Sequence, residues 1–106
     1  MTDTFKKLGQ QQLSVATPVT LYTVPGATQA IVRHIRIINT DTVARTITLF
    51  DGGSGVGNTI LPITTLQPGS VLEMDVFITM AAAGTLLGTA GTANTIVITL
   101  YGMEIS

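Results

Sequence analysis

Apolar and polar residues alternate with a period of two along most of the chain beyond residue 18, the spacing of strands that bury one face. Residues 19–24 (VTLYTV) set Val19, Leu21 and Thr23 against Thr20, Tyr22 and Val24 and stop at Pro25-Gly26, a turn signal. Residues 30–39 (AIVRHIRIIN) form the longest strand expected. Ile31, Arg33, Ile35 and Ile37 share the face taken as the core side, and Val32, His34, Arg36 and Ile38 share the other. After a turn over residues 39–43, residues 45–51 (RTITLFD) oppose Ile47 and Leu49 to Thr46, Thr48 and Phe50, and the two segments are expected to pair as an antiparallel hairpin.

A glycine-rich loop, residues 52–58 (GGSGVGN), follows. Residues 60–66 (ILPITTL) hold Pro62, which cannot donate to a ladder and so marks an edge strand or a bulge. Gln67-Pro68-Gly69 turns the chain into residues 71–77 (VLEMDVF), where Leu72, Met74 and Val76 face one way and Glu73 and Asp75 the other. The period weakens over residues 78–93, with room for a short strand near 85–88. Residues 94–103 (NTIVITLYGM) then set Ile96, Ile98 and Leu100 against Val97, Thr99 and Tyr101.

Six to eight short strands with turn signals between them predict an all-β fold, a small antiparallel β-sandwich of jelly-roll or immunoglobulin-like type. Nineteen threonines, with many Val and Ile, suit pleated surfaces and disfavour helices. Residues 1–18 lack sustained alternation and carry the Lys6-Lys7 pair and Gln10, Gln11 and Gln12. They are expected to form an N-terminal arm that orders on a neighbour, outside a sandwich domain of residues 19–106.

Composition turns this fold into a problem of solubility. Only 10% of the 106 residues are charged, against about 25% in an ordinary domain, and the mean hydropathy is +0.51. A surface so poor in charge is expected to be covered by identical copies or by another protein. The longest stretch free of charge, residues 76–103, is too rich in Thr and Gly for a membrane helix, and the N-terminus lacks the apolar run of a signal peptide. The chain therefore reads as made in the cytoplasm, without a membrane partner. Without cysteine, neither disulfides nor thiolate metal sites are available. The net charge of −1 and five cations give no basis for nucleic-acid binding.

Candidate chemistry is sparse. A single histidine, His34, excludes sites that need two imidazoles, and its neighbour Arg36 is expected to disfavour its protonated form. Glu73 and Asp75 project from one face about 7 Å apart, a spacing open to a glycosidase or a calcium site. The plainer expectation is that they solvate the strand or meet Arg33, Arg36 or Arg45. The 52–58 loop is glycine-rich but leads into no helix, so it is a hairpin loop and not a phosphate cradle. Tyr22, Phe50 and Tyr101 could share an outer face as a sugar platform. No enzymatic activity, cofactor or resident metal is expected.

The runs Leu21-Tyr22-Thr23-Val24-Pro25, Ala30-Ile31-Val32-Arg33-His34-Ile35-Arg36-Ile37-Ile38-Asn39-Thr40 and Thr46-Ile47-Thr48-Leu49 resemble a group of small tailed-phage virion proteins. The later runs from Leu66 to Glu73 and from Thr95 to Glu104 are similar to the same group. The resemblance covers roughly residues 19–104 and implies a β-sandwich part of the virion: a head decoration or cement protein, or a neck or tail piece. It implies as partners the major capsid protein or other virion proteins, and, at local three-fold sites, a homotrimer. A host-glycan-binding module is the alternative. Contacts are expected from Phe5, Lys6, Lys7 and Leu8 of the arm and from His34 and Arg36.

Overall fold

The computed structural model describes residues 3–14 and 17–106. Among these lie eight strands: β1 (Asp3–Gln12), β2 (Val19–Thr23), β3 (Gln29–Asn39), β4 (Arg45–Asp51), β5 (Thr59–Leu66), β6 (Val71–Met80), β7 (Thr85–Ala90) and β8 (Ile96–Ile105). They form two four-stranded antiparallel sheets with orders β1-β8-β3-β6 and β2-β7-β4-β5. This is the jelly-roll type of sandwich, in which every connection but the β4–β5 hairpin passes between the layers, and not the immunoglobulin type.

The structure departs from the expected pairing and from the expected arm. The strands β3 and β4 form no hairpin, because they belong to different sheets. The turn between them carries the chain from one layer to the other and is pinned by Asn39, which is fully buried. Its Nδ2 donates to the carbonyls of Val43 at 3.0 Å, Leu66 at 3.0 Å and Gln67 at 3.2 Å, and its Oδ1 accepts from the Asp41 amide at 2.9 Å. Residues 3–12, expected in an arm outside the sandwich, are instead β1, paired with β8 from Asp3–Ile105 to Gln12–Val97. Alternation did not betray it because an outer strand with Lys and Gln on both faces has little apolar pattern to show. Leu13, at its end, is fully buried and bonded through its amide to the Ile96 carbonyl at 2.9 Å.

The core between the sheets contains Ile35, Ile37, Ile47, Leu49, Leu86, Ile96, Ile98 and Leu100, all at most 1% exposed. Leu72, Met74, Val76 and Ile78 pack against it from β6. The core face expected for β3 holds only for its second half. Val32, not Ile31, is buried, and Arg33 is exposed. A register shift between Val32 and His34 in both ladders of β3 explains this: one additional residue, relative to β8, reverses the side-chain alternation. The β1 ladder shifts at nearly the same level, between Lys7 and Gly9.

Gly102 of β8 lies beside these irregularities, where a Cβ would collide with the Ile31 carbonyl oxygen, so only glycine fits. Across the core, Gly88 of β7 leaves space for Leu49, Leu21 and Ile98, whose methyls lie 3.0–3.4 Å from where its Cβ would stand. A small residue there lets the sheets approach.

Candidate assembly interface

The outer face of the β1-β8-β3-β6 sheet is built of four cross-strand rows. Phe5, Met103, Ile31 and Thr79 form the first; Lys7, Tyr101, His34 and Asp75 the second; Gln10, Thr99, Arg36 and Glu73 the third; Gln12, Val97, Ile38 and Val71 the fourth. The ionisable groups of these rows thus fall in the middle two, with mainly apolar side chains on either side.

Within the belt, His34 Nδ1 lies 2.8 Å from Asp75 Oδ1, and Nε2 lies 3.2 Å from Glu73 Oε1. Only an imidazolium can donate from both ring nitrogens. Hydrogen bonding to Asp75, then to Glu73, raises the His34 pKa above its ordinary 6.5. The effect expected of Arg36 alone is therefore reversed, because the carboxylates opposite on β6 outweigh it. Arg36 itself reaches Glu73 Oε1 through Nε at 3.0 Å and through its terminal nitrogen at 2.8 Å. That contact, followed by His34, lowers the Glu73 pKa. The plainer expectation for Glu73 and Asp75 describes their surroundings: one meets Arg36 and His34, the other His34. Arg45 pairs elsewhere, with Asp41 at 2.7 Å.

Of the four contact residues expected near the N-terminus, two face outward freely: Phe5, 76% exposed, and Lys7, whose Nζ donates to Gln10 Oε1 at 3.0 Å. Leu8 turns inward against the core. Lys6 pairs with Glu104 Oε1 at 3.0 Å. The other oxygen of Glu104 accepts from the Tyr22 hydroxyl at 2.5 Å. Burial, then this bond, pushes the Tyr22 pKa well above its usual value, and the Glu104 pKa is lowered.

The three aromatics expected to share an outer face do not. Tyr22 belongs to the core, Tyr101 stands beside His34 with ring centroids 6.1 Å apart, and Phe50 lies in the other sheet. There it lines an uncharged groove of about 670 Å³ with Val56, Pro62, Ile63 and three threonines. The 52–58 loop joins the paired strands β4 and β5 and includes a 3-10 turn, Val56–Asn58, in which Asn58 Nδ2 donates to the Asp51 carbonyl at 2.9 Å.

One feature of the outer face had no clear signal in the alternation. Phe77 is 66% exposed and carries the Arg33 guanidinium over its ring, 5.2 Å from the centroid. Arg33 reaches it because the β3 irregularity turns it outward. The available sign was a charge on a face otherwise apolar.

Two sheets with an ion-paired belt on one outside face and an uncharged groove on the other define a class: an eight-stranded jelly-roll sandwich. No family model matches the sequence, and no curated protein matches it. Among solved structures, the chain is similar to the coat protein of tobacco streak virus, with a TM-score of 0.52 at 10% identity, over 98% of this chain and 85% of that one. At that identity the likeness is one of fold.

Proposed function

We propose that this chain is a structural protein of a virion, bound to a capsid shell as a decoration or cement protein of a tailed phage. The observation that carries the reading is the likeness of fold to a viral coat protein, which extends over nearly the whole chain. It is supported by a surface with few charges and with Phe5, Phe77, Ile63 and Val56 standing 66–93% exposed. A cement protein stabilises a shell by burying surface on several subunits at once, which needs contact faces and no catalytic step. Glu73 and Asp75 are ion-pair partners in this reading, and the partners are the capsid protein and further copies of the chain, with a trimer at three-fold sites.

The same coat-protein likeness favours a second reading, a subunit of the shell itself. One experiment separates them. Purified protein is mixed with capsid shells stripped of it, and binding is followed by co-sedimentation together with the temperature at which the shells open. Saturable binding and a higher opening temperature are expected. Closed particles formed by the protein alone would favour the second reading, and neither result would overturn both.

A further inference from the structure

The two sheets have four outer strands, and three of them are blunted. β2 is five residues long with a register shift, and β5 contains Pro62 and two shifts. β1 carries Lys6 and Lys7 and a shift of its own. Short length, proline, lysine and bulges are the devices by which sheets avoid pairing with strangers. β6 shares the register shift of its ladder with β3 but has none of the first three: it runs ten residues, Val71–Met80, without Pro, Lys or Arg, and its burial alternates without a break. Its outward residues are Val71, Glu73, Asp75, Phe77 and Thr79.

The chemistry of that edge selects its partner. Two β6 edges brought together about a two-fold axis set carboxylates against carboxylates, and two β1 edges set lysines against lysines. β6 and β1 complement each other. In the row Lys7, Tyr101, His34, Asp75, the cation stands at one edge of the sheet and the anion at the other. They are three strand spacings apart, about 14 Å, too far to pair within one molecule. Asp75 has its side chain 95% exposed.

We infer that copies of this chain join edge to edge, with β6 of one paired antiparallel to β1 of the next. Directions agree, because β1, β8, β3 and β6 alternate and a second β1 in the same orientation runs antiparallel to β6. Continuing the rows sets Asp75 opposite the next copy's lysine at position 7. Two residues further along that antiparallel pair, it also sets Phe77 across from that copy's phenylalanine at position 5, and each ring is now largely exposed. The contact is heterologous, so it propagates into a ring or a chain of copies. The inference rests on reading the chain as a repeating component of an assembly, but it concerns copy-to-copy contact and not attachment to a shell.

A charge-exchange series followed by sedimentation velocity over a micromolar range tests it. The native chain is expected to self-associate, less so in high salt. Lys7→Glu and Asp75→Lys should each weaken association roughly tenfold by placing like charges across the contact. The double variant, Lys7→Glu with Asp75→Lys, should recover most of the loss. Both side chains are exposed, and circular dichroism checks that each variant stays folded. Thr20→Lys, on the outer edge of the other sheet, should leave association unchanged. A monomeric native chain overturns the inference, as does association indifferent to both single changes or a double variant no better than either single one. A monomer that still co-sediments with shells overturns the edge pairing and leaves the virion role standing.

Discussion

Exchanging one methyl-bearing side chain at a time on either side of the β3 irregularity gives a sharp test of the architecture. Uninterrupted alternation buries Ile31 and exposes Val32; the structure reverses this, with Val32 at 0% exposure and Ile31 partly exposed between Met103 and Thr79. Val32→Ala removes two buried carbons, worth about 1.6 kcal/mol at about 0.8 each. The residual cavity raises the total to about 2–3 kcal/mol. Ile31→Ala removes three carbons but from a half-wet site, and should cost under about 1 kcal/mol. For a domain near 100 residues, a loss of 1 kcal/mol lowers Tm by about 4–8 °C. Val32→Ala is therefore expected to melt about 10–20 °C below the native protein and Ile31→Ala only a few degrees below. Urea unfolding followed by tyrosine fluorescence and far-ultraviolet circular dichroism measures both. The reasoning fails if Ile31→Ala costs as much as Val32→Ala, since the smaller truncation can be the costlier one only if the bulge inverts the faces.

Deleting residues 1–12 should destabilise the isolated domain by at least about 2 kcal/mol, seen as a lower urea midpoint, because it removes β1 from β8 and uncovers the core beneath Leu8; an unchanged midpoint would mean that β1 contributes nothing to the fold. Gly102→Ala should cost about 3 kcal/mol, since the Ile31 carbonyl must move to admit a methyl, and thermal melting reads it directly. His34 has its pKa raised in the folded state, so its ion pairs contribute fully below pH about 6.5 and the contribution fades as pH rises through the elevated value. An NMR titration should place the His34 pKa above that of a free histidine, and Glu73→Gln should bring it down; a value at or below the free one refutes the pairing.

The strands were legible wherever one face is dry and the other wet. In β4, β6 and β8 the inward residues Ile47, Leu49, Leu72, Met74, Ile96 and Ile98 follow from period two alone, because a slip of one residue would exchange the faces. What period two cannot carry is pairing between distant segments. β3 and β4 are consecutive, and nothing in their alternation tells whether the turn between them closes a hairpin or crosses to the other layer. The buried Asn39 decides that, through carbonyls 27 and 28 residues downstream. β1 escaped because its neighbours cover only one side of it and its lysines and glutamines remain wet. On the outer face of the β1-β8-β3-β6 sheet, the ion pairing of Glu73 was foreseeable from the outward face of β6 and the arginines. The proximity of His34 to both carboxylates depends on register, which the β3 irregularity sets.

The bridge from Lys6 through Glu104 to the Tyr22 hydroxyl ties three strands, β1 and β8 of one sheet and β2 of the other, at a single point. Its consequence is mechanical. A force applied along β1 loads the β1–β8 ladder in shear, so that many backbone hydrogen bonds resist together, whereas a force that lifts the strand away opens them one at a time. Near the start of β1, where peeling would begin, the Glu104 bridge passes the pull on to the opposite sheet. Tension that arrives at the N-terminal strand is thereby spread over both layers of the sandwich.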